Sequence, residues 1–478
     1  MSPQCNADES QQEFDFGKHF QRQVTARFDG GRISSDGGAV LLGEVDRRLG
    51  LLDRLSACFQ DRRDPERIEH SVSELVKQRV YAIALGYEDL NDHDQLRSDP
   101  LLALLALLAG KRDLLGQERQ RDRDRGQALA GKSTLHRLER TTDGDDRYKK
   151  ISCDFDRIDE LLLHTFVEAH PAAPEEVILD LDVTDSPLHG EQEGRFFHGY
   201  YGCYGCYCYL PLYIFAGEHL LCARQRTADQ DAAAGCLPEV ERIVAGLRRV
   251  WPAVRIIVRA DSGFCRDQLM AWCEAHQVDY VLGLARNQRL REQIEEAMQT
   301  ATERQAATGE AAREFTEFDY QTLHSWSRER RVVAKAEQLE GKQNPRYVVT
   351  SLSAEAWPAR ELYEELYCAR GEMENRIKEQ LSLFADRMSA QTLRANQLRL
   401  YFSGLAYTLL LGLRRLGLAG TRWARAQTET IRRRLLKIGV RVKVTARRVW
   451  LSMAEGWPDR DLFEAVWTAL RAPPTAMA

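Results

Sequence analysis

The sequence predicts an α/β protein built on a mixed sheet with helices packed around it. Three observations carry that reading. VILDLDVTD (177–185) alternates and is rich in β-branched residues. VRIIVRADSGF (254–264) is a second apolar strand that ends in an acid and a glycine turn. Stretches with apolar residues at helical spacing surround both, among them 232–251 and 361–380.

The elements follow in order. Residues 1–175 read as mostly helical. FDGGRISSDGGAVLLGEVDRRLG (28–50) starts in a Gly-rich turn and ends in a helix, and SVSELVKQRVYAIALGYEDLND (71–92) carries helical periodicity behind a capping-box pattern, Ser71 with Glu74. QERQRDRDRG (117–126) is a charge-dense linker. After the first strand, the aromatic run 196–217 and EHLLCARQR (218–226) read as a hairpin. A helix over 232–251, the strand RIIVRAD, a helix over 266–276, the short strand YVLGLARN (280–287) and a helix from Leu290 to Arg304 complete the series. Three strands, helix, strand, helix, strand, helix is the order of a ribonuclease-H-like mixed sheet, in which the first and fourth strands lie side by side. Three further strand-like runs within 314–352 read as a β-rich insertion, and the helix over 361–380 then completes the core.

Bulk composition sets bounds. A chain of 478 residues suffices for several domains and a sizeable core. Hydrophobic content of 44% and charged content of 29% are those of a soluble globular protein. The net charge of -5 hides an asymmetry: residues 414–448 hold twelve Arg or Lys against the single acid Glu429, the footprint of a polyanion partner. The polar N-terminus has no signal-peptide core, and the apolar stretches 101–109 and 401–413 are too short to span a bilayer, so they read as buried helices and no membrane partner is expected. Eleven cysteines without framework spacing suggest reduced thiols in a cytoplasmic setting.

Three carboxylates then stand out. Asp180 and Asp182 share a parity, so both point to one face of their strand; acids there need a cation or another partner, or else sit at a strand end and cap nearby amides. Asp182, followed at DxT spacing by Thr184, is the preferred ligand and Asp180 the alternative. Asp261 ends its strand before Ser262-Gly263, where capping is the commoner use of an acid. Glu374 shares a helical face with Tyr367, Arg370 and Lys378; a surface ion-pair ladder explains Arg370 and Glu374 equally well but not the neighbouring Leu362, Tyr363, Leu366 and Ile377. Two strand-end acids and one helix acid suit a pair of divalent cations, one activating the attacking oxygen of a phosphodiester reaction and one stabilising the leaving oxygen.

On these residues the chain resembles a bacterial insertion-sequence DDE transposase, of the group whose third acid lies in a Tyr-x2-Arg-x3-Glu signature. The matching segments are LDLDVTDSPLHGEQEGRFFHGYYG, RADSGFCRDQLMAWCE, YCARGEMENRIKE, LFADRMSAQTLRANQLRLYFSGLAY and TIRRRLLKIGVRV, and the resemblance covers most of the chain from Phe28 to about Met453. It implies that Asp182, Asp261 and Glu374 are the catalytic acids and hold two Mg²⁺ ions, with Mn²⁺ able to substitute. It further implies that Tyr367 and Arg370 contact DNA near the scissile phosphate. The Lys usual seven positions after the Glu is Leu381 here; either Lys378 substitutes or the contact is absent. In related transposases an insertion aromatic stacks a flipped base, and Trp326 is the candidate, a half-buried strand tryptophan being the other reading. Arg432, Arg433 and Arg434 head the expected phosphate contacts. The implied partners are double-stranded DNA with terminal inverted repeats, target DNA and a second copy of the chain in the DNA complex. The expected organisation is a DNA-end-binding region over 1–175, the first part of the core over 176–305, the insertion over 306–355, core-completing helices over 356–410 and a basic helical region over 411–478.

Two motifs are set aside. GQALAGKS (126–133) fits a P-loop, but ERQRDRDR rather than a buried strand precedes it; GKSTLHRLER reads instead as the start of a DNA-facing helix, capped by Ser133 or Thr134. Cys203, Cys206 and Cys208 lack a second pair at zinc spacing and read as strand cysteines.

Overall fold

The computed structural model describes residues 12–107, 127–140, 150–199, 205–445 and 447–473. The linker expected at 117–126 and Cys203 lie outside the described residues. At the centre is a nine-stranded mixed sheet. Its strands, numbered in chain order, are β1 (Glu176–Val183), β2 (Leu212–Ala216), β3 (His219–Arg224), β4 (Arg255–Ala260), β5 (Asp279–Leu284), β6 (Ala312–Tyr320), β7 (Arg330–Leu339), β8 (Lys342–Gln343) and β9 (Arg346–Thr350). They run β3-β2-β1-β4-β5-β9-β7-β6, with β8 paired to β7. β2 pairs antiparallel with β1 and β3, whereas β1, β4 and β5 are mutually parallel. The three long strands of the 306–355 segment extend this sheet at its far edge, beyond β5.

The pleat of β1 and β4 sorts their side chains. Val177, Leu179, Leu181, Ile256, Val258 and Ala260 pack on one face, against the helices Cys236–Val250 and Asp267–Ala275. Ile178 and Ile257 point the other way, towards Leu362, Tyr363 and Leu366. The same parity turns Asp180, Asp182, Arg259 and Asp261 to that second face.

A second core joins the N-terminal helices to the sheet. The helix Leu393–Gly417 is buried over most of its length, with its apolar run at 400–413 and with Asn396, Gln397 and Arg414 also enclosed. It packs against the helices Ala39–Leu49 and Val72–Leu85 and against β3. Ser71 and Glu74 do form a reciprocal capping box on Val72–Leu85. The apolar run at 101–109 forms the helix Pro100–Leu107. Among the described residues no helix is long and apolar enough to cross a membrane.

Several local expectations are corrected. The N-terminal region also contains the hairpin Phe14–His19 with Arg22–Ala26 and a short pairing of Phe59–Asp61 with Ile151–Cys153. The helix Lys132–Glu139 starts after Gly131, so Ser133 and Thr134 lie inside its first turn and neither caps it. The aromatic run splits: Phe196–His198 and Cys206–Tyr209 join a separate small sheet with Ser186–Pro187, and only Leu212 onward enters the central hairpin, which turns at Gly217 (φ 58°). The single helix expected from Leu290 is two, Gln288–Gln293 and Glu295–Thr308, broken at Ile294. The region after 411 is not all helical: Val440–Val444 and Val449–Met453 form a hairpin, because β-branched residues alternate there with cations.

The enclosed His93 and the half-buried His219 couple this fold to pH. His93 is wholly enclosed and accepts from Gln78 Nε2 at its Nδ1 (3.0 Å), and burial, with Arg79 nearby, pulls it down to about 3. Burial, reinforced by Arg415, pulls His219 down to about 3 as well. Both rings stay neutral in the fold but take up a proton when unfolded. Their contribution is therefore full above pH ~6.5 and is lost as pH falls from there towards about 3, at up to about 1.4 kcal/mol per pH unit for each ring. In thermal melts at pH 7 and pH 5, His93→Gln and His219→Gln are expected to lose less Tm between the two conditions than the wild type does. An unaltered difference in both variants refutes the linkage.

Candidate active site

The acids are assembled by register. Ala260 of β4 pairs level with Leu181 of β1, so Asp261, one residue on, stands beside Asp182 at the carboxyl ends of two parallel strands. Asp180 lies deeper and is 4% exposed. Arg259 holds it with two bonds, Nε to Oδ1 (2.5 Å) and Nη2 to Oδ2 (2.8 Å), and donates a third from Nη1 to the carbonyl of Leu366 (2.6 Å). One guanidinium therefore ties together β1, β4 and the segment that leads to Glu374. Asp180 is thus engaged in a buried ion pair.

Asp182 is differently placed. Its Oδ1 accepts from the Val183 amide (2.9 Å) and its Oδ2 from Arg370 Nη1 (3.1 Å). Burial pushes its carboxyl up to about 6; Arg370 and the amide pull it down, and Asp261 and Glu374 push it up again. Asp261 also accepts from the Gly263 amide (2.8 Å), so it caps the turn that follows while standing beside Asp182.

Glu374 arrives on an irregular helix. The turns run α over Ala359–Glu361, π over Leu362–Tyr367, 3₁₀ over Cys368–Arg370 and α again over Gly371–Ser382. The regular one-face spacing expected from Tyr367 to Lys378 is thus broken before Glu374; π-turns inside helices are frequent at functional sites. Leu362, Tyr363 and Leu366 are buried against the sheet and anchor the segment. The Tyr367 hydroxyl fills the space over Gly283, where a Cβ would lie 2.6 Å from Oη and 2.9 Å from the Ser262 amide. Arg370 reaches Asp182 and, at 4.0 Å, Glu374 Oε1. Burial draws the Arg370 pKa down, but Asp182, Tyr367, Asp261 and Glu374 together outweigh it and the net shift is upward.

The three acids thus converge around Arg370, the exposed Glu374 meeting the strand pair through that guanidinium. As the side chains stand, no three acidic, imidazole or thiol groups among the described residues enclose a metal ion. The donor set nevertheless fits one: carboxylates are the hard oxygen ligands of Mg²⁺ and Mn²⁺, and those around Asp182 crowd negative charge that one guanidinium offsets only in part.

The remaining expected residues are scattered. Lys378 is exposed one turn beyond Glu374, and Leu381 is partly buried. Trp326 is 6% exposed, packed edge-on against Tyr320 (5.7 Å) with Arg330 over its ring (5.5 Å), so its faces are covered and no base can stack there as the residue stands. Arg432 donates to the Ser382 carbonyl (3.1 Å) and stands over Phe384, and Arg434 pairs with Asp459 (3.2 Å); of that triplet, Arg433 is the exposed member without an ion pair among the described residues. Arg259 and Gly283 were not singled out from sequence. Arg259 had a legible signal, a cation set between Val258 and Ala260 in an apolar strand at the parity of Asp261; Gly283 had none.

A sheet that aligns carboxylates at strand ends beside a buried arginine defines a class of acid-dependent enzymes. The particular family follows from comparison: residues 16–475 match the family described as transposase DDE domain group 1, and the chain belongs to it as a DDE-type DNA transposase. Enzymes of this family generally use divalent metal ions. Among solved structures, the piggyBac transposase synaptic complex with hairpin DNA is similar at 12% identity and a TM-score of 0.35, over 93% of this chain and 83% of that one, a likeness too loose to carry an argument. No curated protein matches the chain.

Arg259 and Asp180 are expected to behave as a unit. Either Arg259→Met or Asp180→Asn strands a buried polar partner; the arginine change, which leaves a lone buried carboxylate, costs roughly 3–5 kcal/mol. The double variant is expected to cost less than the sum of the two. Urea unfolding of all four proteins checks this, and strict additivity rules the pair out as the link.

Proposed function

We propose that this transposase cuts DNA at the ends of its element and joins the freed ends to target DNA, using Asp182, Asp261 and Glu374 as its catalytic acids. The observation that carries the reading is the level placement of Asp182 and Asp261 on parallel strands, with Glu374 brought to them through Arg370. We infer a ribonuclease-H-like core, supported by the order β3-β2-β1-β4-β5 with only β2 antiparallel to its neighbours. The 306–355 strands are its insertion, and 359–382 its completing helix.

The three acids would hold two Mg²⁺ ions, or Mn²⁺ in their place. When bound, such a pair lowers the pKa of the attacking oxygen and stabilises the leaving one. The protein's own groups do the rest. Arg370, charged and half-sequestered, faces the site and suits a phosphate oxygen once the acids have other partners. Tyr367, wedged over Gly283, fixes the position of that arginine. The first step is hydrolysis at the element end, freeing a 3′-hydroxyl; the second is in-line attack of that hydroxyl on target DNA. The helical N-terminal region reads the terminal inverted repeats, and synapsis of two ends uses a homodimer. The setting is the bacterial cytoplasm, on the nucleoid. A stand-alone nuclease and a non-catalytic DNA-binding protein are the competing readings; the convergence of all three acids disfavours the second.

The test uses labelled duplexes taken from the DNA flanking the coding region, with and without Mg²⁺. Wild-type protein is expected to nick them only with metal. Asp182→Asn, Asp261→Asn and Glu374→Gln are each expected to lower nicking by more than about a hundredfold while duplex binding persists. Full nicking by Glu374→Gln refutes the assignment of the third acid; cleavage without joining leaves the nuclease reading.

A further inference from the structure

The unpaired positive charge of the C-terminal block is concentrated on one hairpin. Much of the block is neutralised from elsewhere in the chain: Arg414 by Glu379 and Glu218, Lys437 by Asp36, and Arg422 and Arg434 by Asp459. The hairpin of Val440–Val444 and Val449–Met453 is not. Residues 440–453 contain four cations, Arg441, Lys443, Arg447 and Arg448, and no acid. None of the four makes an ion pair with any described residue.

The pleat gives this hairpin two faces. Val440 and Val442 are buried, and Leu451 and Met453 pack against the same core. Arg441 and Lys443 point outward, with Ser452 opposite the first and Trp450 opposite the second. Trp450 is 52% exposed, and the Arg448 guanidinium lies 5.6 Å from its ring centre. The inner face thus anchors the hairpin on the protein, and the outer face presents cations around an indole. A merely solvated face interleaves acids with its cations; this one has none. Ile33–Ser34 pairs with the free edge of Val440–Val444 and makes this a three-stranded sheet; uncompensated cations on its exposed face match the backbone phosphates of a duplex.

We propose that the outer face of this hairpin, Arg441, Lys443, Arg447, Arg448 and Trp450, is a duplex-DNA-binding surface separate from the carboxylate site. The cations take backbone phosphates, and the indole packs against the edge of the groove. The proposal rests on the reading of the chain as a DNA-processing enzyme, but its test does not depend on cleavage.

Binding of a fluorescein-labelled mixed-sequence duplex is measured by anisotropy, in EDTA, over a series of KCl concentrations. The full-length triple variant Lys443→Ala, Arg447→Ala, Arg448→Ala is expected to bind at least tenfold more weakly. Its plot of log affinity against log salt is expected to be shallower than wild type by roughly 2–3, the loss of three phosphate contacts. Trp450→Ala is expected to weaken binding severalfold with the slope unchanged, and Trp450→Phe to restore most of the loss. These side chains are exposed, so the melting temperatures of the variants are expected to match the wild type. Unchanged affinity and slope in the triple variant overturn the proposal. So does a triple variant that binds DNA normally but sediments as monomer where the wild type is dimer, a result that assigns the face to a second copy of the chain. A wild type that binds through this hairpin yet never nicks DNA with Mg²⁺ supports the proposal while defeating the catalytic reading.

Discussion

The buried contact of Arg259 with Asp180 and the Leu366 carbonyl is the constraint on which the candidate site depends. A guanidinium fork grips a carboxylate bidentately and still has a donor to spare. Here the fork spans the two parallel strands, and the spare donor reaches the irregular segment that carries Tyr367, Arg370 and Glu374. Three pieces of chain far apart in sequence are therefore held in one geometry below the acids. Ion pairs this deep are weak sources of net stability, because desolvation offsets their attraction, but losing one partner is costly. Their value lies in admitting one register and not its neighbours: a one-residue slip of β4 against β1 would bury Asp261 and separate it from Asp182.

Above that contact, charge is arranged in opposition. Asp182, Asp261 and Glu374 repel one another, and Arg370 sits among them as an internal counter-ion. Burial makes the repulsion stronger than it would be in water. The guanidinium supplies positive charge among the carboxylates, which are the hard oxygen donors that a divalent ion prefers. The change from π to 3₁₀ turn before Gly371 sets the angle at which Arg370 meets the strand acids; a straight α-helix with the same sequence spacing would present a different face.

The C-terminal block shows how far local charge counting can mislead. Twelve cations stand against one acid within residues 414–448, yet Glu379, Glu218, Asp36 and Asp459 come in from other elements to pair with Arg414, Lys437, Arg422 and Arg434. Arg432 ties its helix to the end of the helix that bears Glu374. Four of the cations left without an ion pair, Arg441, Lys443, Arg447 and Arg448, stand together on the hairpin, with no acid among residues 440–453.

The sequence by itself determined the strands, their apolar faces and the acids at their ends, because period-two alternation and strand-terminal Asp are properties of nearest neighbours. It also determined the capping box at Ser71 and the buried helical character of the apolar run at 401–413. Only the tertiary structure gave Asp180 and Asp182 different partners, since both share a parity and Arg259 and Arg370, which meet them, lie on other elements. It decided as well that Trp326 is enclosed, that the Glu374 helix is irregular, and that Arg414 and Arg434 are internal ion-pair partners. These depend on which distant residues meet in space, and that is settled by packing of the whole chain rather than by local propensity.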